Sequence, residues 1–448
     1  MGVKPVWSDE MQKWLDEVCG MIRWRRARPV VRQELEDHLE DQAQAFADEG
    51  VPGAEAARRA VAEMGDPIEV GAGLDQAYRP QPDWALLGVV MLLVAAGMVL
   101  QTLVLQDVEA GVLVAGASQR VWSNLLPGGV CLLFGYFFDY TRIYRWNGRV
   151  ALCLVAAFCL CFFNLDFVKA APLFYTAAVL MYIGLLCRAA HARLAGAAAG
   201  IGGLLGMGLL LFCYQFFPYP NTGKSFAVLC FLVSGVLLCM TCWRTGFGFP
   251  LRRARTVCLG SIAIAAVGCI GFLAAMPAAQ RRLAALCNPM LEFRTAGWQS
   301  GIAQMTLRGE ALDGTPAIQY LVSPESDYLL TWSISRFGWG ALAAVLCLYL
   351  LLLALCVRQW KRQQSLLARL VVCCVTGLWT AQSLCAISTG LGHPITRSVC
   401  MPFLANGAVS LCVNLFLMGL LLSVGRTGKL YGASDTVRRP SKTERKTI

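Results

Sequence analysis

Apolar runs of roughly twenty residues, each long enough to cross about 30 Å of hydrocarbon, recur along this chain from Trp84 almost to its end. No water in hydrocarbon can satisfy a backbone N–H or C=O, so runs of this length have to fold as helices that satisfy their own. Ten spans are predicted, over residues 84–106, 121–138, 150–167, 171–187, 194–216, 226–243, 257–276, 328–357, 366–387 and 401–424. Of the 448 residues, 57% are hydrophobic and 15% charged, which is too apolar for a soluble globular protein of this length. The expected class is all-α: a polytopic membrane protein of about ten transmembrane helices, preceded by a small helical domain.

The formal charge of +11 does not point to nucleic acid. The basic residues cluster in short loops between apolar runs, in "DYTRIYRWNGR", "CRAAHAR", "CWRTGFGFPLRRAR" and "VRQWKRQQ", and in the tail "RRPSKTERK". The alternate loops "VEAGVLVAGASQ" and "FFPYPNTG" are nearly free of charge. Cytoplasmic loops carry an excess of Lys and Arg, so both termini are expected in the cytoplasm and the long loop 277–326 outside. Most of the twenty cysteines fall inside apolar runs, where they act as small hydrophobes. The three histidines stand far apart, so no thiolate–imidazole metal site is expected.

Three regions follow: a prefix over residues 1–81, a membrane body over 82–425 and a basic tail over 426–448. The prefix opens on mixed polar and charged residues with no signal-peptide pattern and is expected to be cytoplasmic. Apolar residues at helical spacing predict helices over 11–24, 30–48 and 54–64, with Pro52 opening the third and Gly65 closing it. The run "VRQELEDHLEDQAQAFADEGVPGAEAARRAVAEMGDP" resembles the helical prefix in front of some bacterial permeases and membrane regulators. A folding or association cap and a regulatory module are both open readings for it.

The stretch "YLVSPESDYLLTW" places Glu325 and Asp327 where the long polar loop turns into an apolar helix. An ionisable residue at membrane depth is a functional candidate by default, whereas an Asp just ahead of a helix also serves as an N-cap. The surroundings bear on that choice. "RRLAALCNPMLEFRTAGWQ" followed by "YLVSPESDYLLTWSISRFGWG" resembles the large outer loop and following helix of the shape, elongation, division and sporulation family. Arg281, Arg282, Asn288 and Pro289 fit its first motif, Gly297, Trp298 and Gln299 its second, and Asp327 falls on its essential Asp, with Gly338 on its helix Gly. "PNTGKS" stands where the family has P-D-x-G-T. In "GHPITRSVCMPFLANGAVSLCVN", Pro394, Thr396, Pro402, Phe403, Gly407, Ser410 and Asn414 hold places matching the last outer loop. The chain departs from the family at Asn221, in place of an acid, at Arg397, in place of Gly, and in the shortened stretch "GIAQMTLRGEALDGTP".

The resemblance implies a peptidoglycan glycosyltransferase that polymerises lipid II, the undecaprenyl-linked disaccharide–pentapeptide, into glycan strands at the outer face of the bacterial cytoplasmic membrane. The expected partner is a class B penicillin-binding protein with transpeptidase activity, together with the surrounding lipids. Asp327 is the implied catalytic residue, as a base or as holder of the acceptor hydroxyl, and Arg282, Arg294, Gln299, Asn221, Lys224 and Thr396 are the implied substrate-binding set. No cofactor is implied beyond a divalent cation at Asp327. Two other readings stay open on the residues alone: a silent scaffold or regulator of a penicillin-binding protein, and a flippase for the lipid-linked precursor. Asn414 and Gln382 are expected to bond each other's helices, and Trp332, Phe337 and Trp339 to serve as packing or interfacial anchors.

Overall fold

The computed structural model describes residues 9–25, 27–79, 83–109, 122–145, 171–215, 222–275, 277–293, 297–394, 399–405 and 407–437. The chain divides into two compact units, one of Met1–Asp83 with Gln363–Ser365 and Gly425–Ile448, the other of Trp84–Arg362 with Leu366–Val424.

In the first unit, α1 (Asp9–Met21), α2 (Arg28–Asp48), α3 (Gly53–Met64) and α4 (Pro67–Tyr78) pack around one apolar core. Val31, Leu35, Leu39 and Ala43 recur every fourth residue, so they form one stripe of α2, which meets Trp14, Leu15 and Val18 of α1 and Ala57 and Ala60 of α3. The Trp14 indole N–H donates to the carbonyl of Gly65 at 2.9 Å, at the point where φ of +85° at Gly65 ends α3. Helix α4 is not among the predicted helices, because its apolar residues are too few to show a period. It is started by Asp66, whose carboxylate accepts from the Ile68 N–H, with Pro67 behind it. The Tyr78 hydroxyl at its far end donates to Glu34 at 2.9 Å, and burial followed by that bond pushes the phenol up to about 12.

The second unit contains α5 (Trp84–Glu109), α6 (Leu125–Phe137), α7 (Ala171–Ala189), α8 (Arg193–Gln215), α9 (Thr222–Thr245), α10 (Leu251–Ala275), α11 (Pro277–Cys287), α12 (Trp298–Arg308), α13 (Leu329–Phe337), α14 (Trp339–Arg362), α15 (Leu366–Gly390) and, as far as Val424, the last helix α16 (Ala408–Val437). Among the described residues, seven helical segments are long and apolar enough to cross a membrane: they lie in α5, α7, α8, α9, α14, α15 and α16. The shorter α6 is also apolar, and the predicted span over 150–167 lies outside the described residues. This is a multi-pass helical membrane protein. Its apolar interior holds a small polar network, in which the Trp379 indole donates to Asn414 Oδ1 at 3.0 Å and the Asn414 amide donates to the Ser410 carbonyl at 2.9 Å. Gln382 lies against the same amide at 3.4 Å.

Two predicted spans have different limits in the structure. The eighth, over 328–357, is not continuous, because Gly338 adopts φ 77° and ψ −178°, a conformation only glycine takes readily. It parts the nine-residue α13, far too short to cross a bilayer, from the 24-residue α14. The tenth does not begin at Met401. Residues 401–405 form a turn with Phe403 at φ 65°, and the last helix starts only at Ala408.

Helices α6 and α16 cross backbone to backbone. A Cβ on Gly419 would lie 2.2 Å from the Leu132 carbonyl, and one on Gly135 would lie 2.3 Å from the Phe416 carbonyl. Small residues allow such approach where no hydrophobic effect drives helices together. Gly419→Leu is expected to force the pair apart and to reduce the yield of monodisperse detergent-purified protein several-fold; size-exclusion profiles beside those of the neighbouring Met418→Leu variant test it.

Candidate functional site

The last turn of α15 fixes the ground on which Asp327 stands. The final carbonyls of a helix have no partner within it, and here side chains from other segments supply donors. The Thr331 hydroxyl of α13 donates to the Gly390 carbonyl at 2.7 Å. Side by side with it, Leu330 packs so closely that a Cβ on Gly390 would sit 3.0 Å from that of Leu330. Two residues on, Gly392 turns the chain at φ +80°, and a Cβ there would meet Gln304 Cγ at 2.6 Å and the Ser300 carbonyl at 2.8 Å. Both α12 and α13 therefore rest on residues 390–392.

His393 extends this junction. Its Nδ1 lies 2.7 Å from the Leu286 carbonyl, and its Nε2 lies 3.2 Å from the Gln304 amide nitrogen. A carbonyl only accepts, so Nδ1 carries the proton and Nε2 accepts from Gln304. One imidazole thus ties α11 and α12 to the end of α15.

From α12 the connection passes to the Asp327 turn. The Gln299 amide donates to the Tyr320 carbonyl at 3.3 Å, and its carbonyl oxygen accepts from the Val322 N–H at 3.0 Å. Ser323 then takes φ 54°, and its carbonyl accepts from the N–H groups of Ser326 and Asp327 at 3.1 and 3.0 Å. The stretch before this turn, the shortened "GIAQMTLRGEALDGTP", is helix α12 followed by a two-residue hairpin, β1 (Ala311–Leu312) and β2 (Thr315–Pro316). Asp313 and Gly314 at its tip both take positive φ, as a tight hairpin turn requires.

Asp327 itself is half-buried, with Oδ1 out of reach of solvent. The N-cap position of α13 falls on Tyr328, whose side chain makes no capping bond. Asp327 faces a cleft lined by Leu100 of α5, Leu329, Leu330 and Ser333 of α13, Val345 of α14, Ala386 of α15, and Met401 and Leu404 of the last turn. The carboxylate's field reaches two neighbours: burial, then Asp327, raises the Tyr328 phenol, and burial, then Asp327 and Glu325, push the Cys400 thiol up to about 12. Both groups therefore stay protonated at neutral pH. The 401–405 turn that closes the cleft is held from three helices. Gln101 of α5 donates to the Leu404 carbonyl, Tyr349 of α14 donates to that of Pro402, and the Trp379 ring of α15 meets Phe403 edge-on at 5.1 Å.

The remaining candidates divide. Lys224 is buried in the first turn of α9, the helix whose Leu229 packs against Cys385 and Val399, just ahead of the 401–405 turn. Gln299 spends its amide on the loop backbone, which places it as an anchor of the Asp327 turn. Arg282 lies in α11, its side chain not among those described, and Asn221, Arg294 and Thr396 lie outside the described residues. Thr331, Gln304 and the linking role of His393 had no signal in the sequence. Among the described residues no three His, Cys, Asp or Glu side chains converge, so a divalent cation at Asp327 would draw on water, backbone or substrate oxygens beside the carboxylate.

This arrangement can be compared with known proteins. No sequence-family profile matches the chain. A protein of Trichlorobacter lovleyi named as a probable peptidoglycan glycosyltransferase FtsW is 22% identical over 156 residues, covering 34% of this chain and 41% of that protein. Its Geobacter sulfurreducens namesake is 26% identical over 162 residues, covering 34% and 42%. A solved structure described as a peptidoglycan synthase complex that coordinates polymerization and crosslinking superposes with a TM-score of 0.56 at 19% identity, over 78% of this chain and 98% of that one. The chain shares its fold with a chain of that complex and a stretch of its sequence with the two FtsW proteins. The match spans about two fifths of the length of the curated relatives, while the shared fold runs through most of the membrane body.

Asp327 thus stands on a turn held by contacts that reach residues 390–393. Thr331→Val keeps the shape of the side chain and removes its only donor, leaving the Gly390 carbonyl buried without that bond. A loss of about 1–3 kcal/mol is expected for such a group, read as a lower unfolding temperature in detergent, with Thr331→Ser restoring most of it.

Proposed function

We propose that this chain is a peptidoglycan glycosyltransferase that joins lipid II units into glycan strands at the outer face of the cytoplasmic membrane, in cell division, cell shape or sporulation. The single observation that carries this reading is the placement of Asp327, a half-buried carboxylate lining a small, mainly apolar cleft in a fold shared with a chain of the peptidoglycan synthase complex. In this reading both termini, the 1–81 prefix and the 426–448 tail are cytoplasmic, and the loop 277–326 is outside. A class B penicillin-binding protein is the partner that would crosslink the strands.

The reaction forms a glycosidic bond from the 4-hydroxyl of one sugar and breaks the bond between the anomeric carbon of another and its undecaprenyl pyrophosphate. The hydroxyl proton leaves with the attack, and the pyrophosphate departs with the electron pair. Asp327 accepts that proton or holds the hydroxyl in line, a contribution worth typically 10²–10⁴ in rate. A carboxylate shielded from water on one side is the more effective acceptor. Cations must meet the charge that develops on the pyrophosphate, and guanidinium forks suit phosphate oxygens. Arg282 and Arg294 of the long loop take that role in this proposal, with Lys224 beside the last loop and Asn221, Thr396 and Gln299 shaping the pocket. The sugars lie in water and the polyprenyl tail in lipid, so a base at the boundary of the two meets both.

The departures at Asn221 and Arg397 favour a second reading, a silent scaffold for the penicillin-binding protein. Asp327→Asn separates the two, since asparagine keeps the size and hydrogen bonding of the side chain but is no base. Purified wild type with its bound transpeptidase is expected to convert lipid II into strands, and the equally folded Asp327→Asn protein to do so at least 100-fold more slowly. Absence of product from wild type with the partner bound decides for the scaffold; equal rates remove Asp327 from the chemistry.

A further inference from the structure

At the end of the bundle opposite Asp327, helices distant in sequence bring arginines onto tryptophan rings. Arg244, in the last turn of α9, holds its Cζ 5.6 Å from the centroid of the Trp360 ring. Arg369, in the first turn of α15, holds its Cζ 5.9 Å from the same centroid. Next along α9, the Arg255 guanidinium of α10 lies 4.9 Å from the Trp243 ring and donates to the Trp243 carbonyl at 3.4 Å. Residues 240–259 and 356–371, which supply these groups, contain eight Arg and Lys residues and no Asp or Glu.

A bias of basic residues toward one membrane face accounts for the charge of these loops. It does not account for two guanidiniums from separate helices sharing one indole, because like charges brought together repel. An anion between them would turn that repulsion into a clamp. A guanidinium offers its planar fork to phosphate oxygens, and an aromatic face holds the fork in orientation. Depth agrees: α15 has 25 residues from Leu366 to Gly390, about 37 Å at 1.5 Å per residue, so its first turn lies at headgroup level when its last turn meets the outer boundary. Trp243, Leu251 and Val357 expose apolar surface around the group, which suits acyl chains and not a soluble ion.

We propose that Arg244, Trp360 and Arg369 form a binding site for the phosphate of an anionic phospholipid headgroup. Arg369 and Trp360 are half-buried and Arg244 is exposed, so the headgroup enters from the lipid side and joins the ends of α9, α14 and α15. The net negative charge of the lipid is what the site reads, because a zwitterionic headgroup carries its own ammonium to offset the phosphate.

The test uses the full-length protein in detergent, titrated with phosphatidylglycerol, phosphatidylcholine or inorganic phosphate and read by native mass spectrometry. Wild type is expected to retain phosphatidylglycerol at least tenfold more tightly than phosphatidylcholine. R244Q/R369Q is expected to lose at least tenfold in that affinity, while R252Q/R253Q, which removes the same charge a few residues away, stays within twofold of wild type. Equal loss in both pairs would reduce the effect to diffuse charge and overturn the site, as would unchanged binding in R244Q/R369Q. Inorganic phosphate displacing the lipid at equal concentration would overturn the lipid assignment. Should the glutamine pair not fold, R244K/R369K keeps the charge without the fork: several-fold weaker retention supports the site, and undiminished retention refutes it.

Discussion

The bonds and contacts at the carbonyl end of α15 are the constraint on which the candidate site depends. A helix end leaves carbonyls open, and in this protein that need is met by groups that also carry the segment 277–331. Thr331 brings α13, while Gly392 and His393 bring α12 and α11, each joined to the turn at 390–393. Asp327 lies at the end of the connection between α12 and α13, two residues before α13 begins, so its position follows from two helices docked on one support. The strained Ser323, with φ 54°, is tolerated because Gln299 holds the backbone ahead of it.

The interruption at Gly338 has the same consequence from the other side. A continuous span over 328–357 would have carried Asp327 along on a transmembrane helix. The break instead leaves α13 as a separate piece of nine residues, free to lie where α5, α14 and α15 leave room for it. Irregular backbone at membrane depth is tolerated only where protein buries it or water reaches it, and here Gln101 and Tyr349 serve the buried carbonyls of the 401–405 turn. The cleft below Asp327 is therefore built from side chains of several helices and closed by a non-helical segment.

The same bundle carries opposite chemistry at its two ends. Acidic Glu325 and Asp327 stand at one, beside the neutral thiol of Cys400. Arginines on indole rings stand at the other, with no acid in the segments that supply them. Helix α15 runs between the two, from Arg369 in its first turn to Gly390 in its last.

The sequence by itself determined the helical class, most of the spans and the identity of the residue to suspect. Bilayer thickness fixes the length of an apolar run, and Asp327 stands in a local motif that needs no folding to be read. The start of α4, the break at Gly338 and the turn at 401–405 were less legible, since Gly and Pro occur in many spans without interrupting them, and α4 has too few apolar residues to show a period. Tertiary structure alone decided that Gln304 meets His393, 89 residues away, that Thr331 meets Gly390, 59 residues away, and that Arg244 and Arg369 share one ring. Local periodicity shows which face of a helix is apolar, but it holds no information on which helix that face will meet. That choice is made only when the whole bundle packs.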